Sequence, residues 1–124
     1  MSRWIVDGMN VVGSRPTGWW RDRTGAMREL VESLEELAER SGDSVTVVFD
    51  GGPFELGAEG RVEVLFASRR GRDAADDDIA ALVERDDDPA GLSVVSSDAD
   101  LARRVRAAGA AVVGAGEFRS RLDQ

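Results

Sequence analysis

Apolar residues fall along this chain in two rhythms. Short, nearly unbroken apolar runs occupy residues 3–7, 45–49, 62–67, 92–95 and 111–113, the pattern of strands in a covered sheet. Between them, apolar residues recur at three- and four-residue spacing. Met27, Leu30, Val31, Leu34, Leu37 and Ala38 give an apolar face to a helix over residues 24–40, with Thr24 as its expected N-cap and Ser41-Gly42-Asp43 as its stop. Ile79, Leu82 and Val83 do the same over 74–85, and Leu101 and Val105 over 98–108. A last helical turn is expected over 116–122. Gly13, Pro16 and Gly18 break any pattern in 11–23, which reads as a loop.

Strands that alternate with helices imply parallel pairing and right-handed crossovers. The fold class is therefore α/β: a three-layer α/β/α sandwich around a mainly parallel sheet of about five strands. The link between the second and third strands is short and shows no helix, so the third strand's direction stays open. No repeat or linker divides residues 1–124, and the length suits one domain.

Composition narrows the chemistry. With 42% hydrophobic and 32% charged residues the chain reads as a soluble domain, and no apolar run approaches the roughly 20 residues of a membrane span. With no basic-then-apolar leader either, a cytoplasmic location is expected. There is no Cys and no His, which removes thiol chemistry, the usual zinc ligand and the commonest general base. All 16 basic residues are Arg, so mechanisms that need a lysine are excluded as well. The net charge of −8 argues against a simple nucleic-acid-binding module, unless several carboxylates are gathered to hold cations.

The carboxylates fall in a pattern. Asp7, Asp50 and Asp98 each follow an apolar run, and a parallel sheet brings all strand carboxyl ends to one edge, where α/β sites form. Asp76 lies three and seven residues before Ile79 and Val83, on the inward side of its helix's first turn. Asp77 points about 100° away and Asp78 lies on the flank. Each has an ordinary reading: Asp50 and Asp98 as turn or cap residues, Asp76 to Asp78 as acids suited to a helix N-terminus. Asp7 resists it, because no helix is expected directly after it. Their joint occurrence carries the signal. Converging Asp side chains repel unless cations neutralise them, and oxygen ligands alone select Mg2+ or Mn2+, one or two ions. Such a site suits phosphodiester hydrolysis.

Other residues are read against the same edge. Asn10 orients a ligand or makes a local turn. Trp19 and Trp20 stack on bases or pack over the core margin, with Arg15, Arg21 and Arg23 meeting phosphates. Arg69, Arg70 and Arg72 form a basic turn before the acidic helix and are phosphate-contact candidates. Asp86 to Asp88 read as a solvated loop, and Arg103, Arg104 and Arg106 as an exposed helix face.

Val6-Asp7-Gly8-Met9-Asn10-Val11-Val12-Gly13 resembles the opening motif of NYN domains, in the YacP-like branch of the PIN-like nucleases. Val48-Phe49-Asp50-Gly51 is similar to that branch's second strand, Ala75-Asp76-Asp77-Asp78-Ile79 to its acidic helix start, and Val95-Ser96-Ser97-Asp98-Ala99-Asp100 to its fourth-strand motif. The match spans nearly the whole chain in order. The resemblance implies a PIN-like fold and metal-dependent cleavage of RNA. It implies Asp7, Asp76 and Asp98 as metal ligands, with Asp50 and Asp100 beside them and Asn10 organising the site. It also implies single-stranded RNA as partner and, in some members, the ribosome. A homodimer is compatible with it. Two alternatives stand: a PIN-like module that binds RNA or protein without cutting, and a toxin-type nuclease with an antitoxin. A phosphoaspartate receiver needs a lysine that this chain lacks. A dehalogenase-type phosphatase needs an Asp where Met9 stands, and the nearest glycine cluster, Gly114-Ala115-Gly116, comes too late for a dinucleotide fold.

Overall fold

A computed structural model describes residues 2–14, 18–51, 60–68 and 74–123. Five strands, β1 (Arg3–Asp7), β2 (Ser44–Phe49), β3 (Val62–Phe66), β4 (Leu92–Val95) and β5 (Ala111–Val113), form one sheet in the order β3-β2-β1-β4-β5. Every pairing is parallel. The third strand, whose direction the sequence left open, runs with the others, Val45 opposite Val62 and Phe49 opposite Phe66. The helices are α1 (Gly8–Val12), α2 (Arg23–Ser41), α3 (Ala74–Glu84), α4 (Ala99–Ala107) and α5 (Ala115–Leu122), with short 3₁₀ turns at Trp19–Arg21 and Pro89–Gly91.

The period-two alternation of the strands sorts their side chains between two cores. Val6, Val47, Phe49 and Val95 pack with Val11 and Val12 of α1, Met27, Leu30 and Leu34 of α2, and Phe118 of α5. Ile5, Val48 and Val94 pack on the other face with Ile79 and Val83 of α3 and Leu101 and Val105 of α4. Helices thus cover both faces, as a three-layer sandwich requires. Each fully buried side chain of this size contributes roughly 1.5–3 kcal/mol. No helix among the described residues is long and apolar enough to cross a membrane.

Four local expectations are corrected. Residues 11–23 are not all loop: α1 runs through Val12, and Trp19–Arg21 is a 3₁₀ turn. A helix does start directly after Asp7, because burial of Val11 and Val12 outweighs the weak helix signal of so short a segment. The cap of α2 is Asp22, whose carboxylate accepts from the Gly25 N–H at 3.0 Å, so the helix begins one residue before Thr24. The loop Asp86 to Asp88 is freely solvated only at Asp87 and Asp88, whereas a partner ties down Asp86. Arg3 donates to both its oxygens, at 2.8 and 3.1 Å, and also to the Asp88 carbonyl at 2.7 Å. Nearby, Asp43 accepts from Trp4 Nε1 at 3.0 Å and from the Ser2 N–H at 2.7 Å.

Candidate active site at the carboxyl edge of the sheet

Extending the strand alternation by one residue decides where the acidic side chains go. Ile5, Val48 and Val94 face the α3–α4 core, so Asp7, Asp50 and Ser96, each two positions on, fall on that same side at the strands' carboxyl ends. Asp7 is buried, with 4% of its surface exposed, and it occupies the N-cap position of α1 without making a side-chain cap hydrogen bond. Its carboxylate is thus not spent on capping. Ser96 Oγ, also buried, donates to Asp7 Oδ2 at 2.9 Å and accepts from the Asp98 N–H at 3.1 Å. One hydroxyl therefore ties the end of β1 to the segment that carries Asp98.

The neighbouring acids approach from three elements. Asp50 Oδ1 accepts from the Ala75 N–H at 3.0 Å, which fixes the end of β2 against the start of α3. Asp98 caps α4, its Oδ1 accepting from the Leu101 N–H at 2.9 Å. Asp76, Asp77, Asp98 and Asp100 line a cavity of about 160 Å³ together with Leu101 and Arg104. Asp77 and Asp100 are each paired with a guanidinium group, Arg104 at 2.8 Å and Arg103 at 2.7 Å. Asp78 faces away, accepting from the Ser68 N–H and Oγ.

Burial pushes the Asp7 carboxyl up to about 6. The Ser96 hydroxyl opposes that shift, and Asp50 adds to it by like-charge repulsion. The Asn10 N–H pulls it down again and Asp98 pushes it further up. A carboxylate that is dehydrated and faces two others is costly to ionise. Among the described residues, no three acidic side chains already converge on a single ion-binding point. In donor chemistry and electrostatics the set still fits a hard divalent cation: it offers only oxygen, and a cation relieves the repulsion at Asp7.

Asn10 serves both Asp7, through its backbone N–H, and the turn after β4. Its Oδ1 accepts from the Ser97 N–H at 2.8 Å, and Ser97 Oγ in turn accepts from the Ala115 N–H at 2.9 Å. This chain of bonds locks the turn after β4 between α1 and α5. The two tryptophans separate: Trp19 packs against the first core, whereas Trp20 is 60% exposed. Arg21 is exposed beside Trp20, and Arg23 reaches back to the Asp50 carbonyl at 3.3 Å. Arg15, Arg69, Arg70 and Arg72 lie outside the described residues.

Sequence reasoning passed over Ser96, although a polar residue two positions beyond Val94 on a buried face is a readable signal. Gly8 follows Asp7 as the first residue of α1. A Cβ there would sit 2.4 Å from two ring carbons of Phe49 and 3.1 Å from Val47 Cγ2. Close packing, not backbone freedom, requires this glycine.

The YacP-like NYN domain family matches this chain over residues 4–124. Among solved structures, the chain is similar to Rae1 (YacP) from Bacillus subtilis, at 25% identity and a TM-score of 0.81, over 99% of this chain and 74% of that one. A point mutant of the same protein aligns with a TM-score of 0.80, at 25% identity, over 99% and 76%. No curated protein sequence matches significantly.

Proposed function

Because the chain belongs to the YacP-like NYN domain family, with its nuclease-like fold, we propose that it is a metal-dependent endoribonuclease acting on single-stranded RNA. The observation that carries this reading is Asp7. It is a buried carboxylate not used as a cap, facing Asp50 and Asp98 at the edge where the strands end. Natural proteins retain a repulsion of this kind where something else uses it. Mg2+ or Mn2+ at Asp7, Asp76 and Asp98 would supply a water nucleophile near neutral pH and neutralise charge on the attacked phosphate. Asp100 lines one cavity with Asp76 and Asp98.

The chain's own residues set the geometry. Ser96 holds Asp7 in one orientation and carries the backbone of Asp98 with it. Asp50 anchors the start of α3, and with it Asp76, against β2. Asn10 holds the turn after β4 in place. Arg21, with Arg15, Arg69, Arg70 and Arg72, supplies contacts to backbone phosphates that a surface of net charge −8 otherwise repels.

Purified protein with Mn2+ or Mg2+ should cut single-stranded RNA, EDTA should stop it, and Asp7→Asn should remain folded and inactive. Failure of the wild type to cut any of a varied set of RNAs with either ion would leave a binding module. That second reading draws on the way Asp50 and Asp98 each already serve as backbone acceptors.

A further inference from the structure

We propose that Trp20 is a stacking platform for an unpaired nucleobase, so that the strand threaded past the acidic edge must be single-stranded where it crosses the Trp19–Arg21 turn. The inference rests on the reading of the chain as an enzyme that cuts single-stranded RNA and names the residue that receives an unpaired base. Trp20 is the one large apolar side chain left exposed among the described residues, at 60%. An indole left in water keeps a large flat face available to a partner.

The platform is mounted on a hydrogen-bonded turn. The 3₁₀ turn that carries it is closed by bonds from the Arg21 N–H to the Gly18 carbonyl at 3.0 Å and from the Asp22 N–H to the Trp19 carbonyl at 3.2 Å. Gly18 enters it with φ of +75°, a conformation that glycine adopts freely. Asp22 then caps α2 at once. Trp19 stands against Trp20 at 6.1 Å between ring centroids and 83° between planes, and packs into the first core. Trp19 is the buttress and Trp20 the exposed member.

Position ties the platform to the site. The Trp19 indole lies against Gly13, at the end of the five-residue helix that starts beside Asp7. At 1.5 Å per residue that helix spans on the order of 8 Å. Arg23, two residues past the turn, bonds the Asp50 carbonyl. A base on Trp20 is therefore within a few nucleotides of a phosphate held at the acidic edge, and exposed Arg21 is placed for the intervening backbone. A duplex hides its base faces in its own stack, so only an unpaired base offers a face to the indole. Stacking of this kind is tolerant of base identity.

The test measures binding without cleavage. Fluorescence anisotropy of a labelled short oligouridylate, in EDTA, compares wild type, Trp20→Ala and Trp20→Phe. Trp20→Ala should bind about 5- to 100-fold more weakly, with Trp20→Phe in between and unchanged thermal melts for both. An oligomer of the same length with abasic positions should bind wild type and Trp20→Ala alike. Equal affinity of wild type and Trp20→Ala for oligouridylate, or no binding by wild type, overturns the proposal; equal affinity also leaves the exposed indole to a protein contact. Stacking found without metal-dependent cutting removes the nuclease reading alone, and cutting that persists unaltered in Trp20→Ala removes the platform alone.

Discussion

At the amino ends of the strands Asp43 and Asp86 face donors, whereas at the carboxyl ends Asp7 faces Asp50 and Asp98. Arg3 lies against Asp86 with two hydrogen bonds, and that contact, with the Asp88 N–H, holds the Asp86 carboxyl below the usual range. Asp43 is partly dehydrated, but bonds from Trp4, Ser2 and Ser41 outweigh that and lower it too. At Asp7, burial and two like charges outweigh the bonds from the Ser96 hydroxyl and the Asn10 N–H, and the carboxyl moves the other way. The same side chain on one sheet thus ties down one end and leaves the other in electrostatic debt. The second condition is the one that the proposed metal would relieve.

The largest break in that comparison is Asp7→Asn. The folded value of about 6 lies above the ordinary 3.8, so below 3.8 the protein has the full benefit of a protonated Asp7. Stability declines as pH rises from about 4 through 6, because the unfolded chain ionises first. At pH 7 the charged form costs on the order of 2–3 kcal/mol, at 1.36 kcal/mol per pH unit. Asp7→Asn should therefore melt higher than wild type at pH 7, lose that advantage toward pH 4, and cut nothing. Mn2+ should raise the wild-type melting temperature and leave the variant's unmoved. A variant no more stable than wild type at pH 7 would mean that Asp7 is not strained.

Two smaller changes sharpen the same point from its surroundings. Ser96→Ala removes the donor that steadies Asp7 and the acceptor of the Asp98 N–H. It should cost about 1–3 kcal/mol at pH 7 and extend the fall in stability to higher pH, its lower end unchanged. Gly8→Ala drives a methyl into the Phe49 ring and should cost about 1–3 kcal/mol at every pH. Thermal melts across pH separate the two: the first is charge-dependent and the second is not.

These differences mark what the sequence made legible. Apolar rhythm sufficed for the five strands and the inward face of α2, since burial follows directly from side-chain pattern. It also brought Asp7, Asp50 and Asp98 to one edge, because that edge is a consequence of parallel topology. The cap of α2 moved from Thr24 to Asp22 because either residue type can cap and only tertiary packing chooses the register. Asp86 was misread because its partner Arg3 is 83 residues away, and local spacing carries no trace of so distant a contact. Trp19 and Trp20 were read as a pair, but adjacency cannot tell which ring turns inward. Ser96 was missed for a different reason: attention to acids passed over the hydroxyl that positions two of them.

The smallest expected effect belongs to the paired end. Asp86→Asn is the same chemical change as Asp7→Asn, made where the carboxylate faces a guanidinium. The folded value lies below the ordinary one, so this contribution is present above pH 3.8 and is lost as pH falls through the folded value. Its sign at pH 7 is therefore opposite: Asp86→Asn should lower the melting temperature, slightly, since both partners reach solvent. The loss should shrink in high salt, where screening weakens the pair in the wild type itself. It should also fade in acid, where Asp86 is protonated in both states. Melts of the two Asn variants at pH 7, moving in opposite directions from wild type, would establish that location on the sheet sets what an aspartate does here. If both variants melted below wild type, the carboxyl edge would be held by ordinary pairing as well, and Asp7 would lose its claim as the centre of the site.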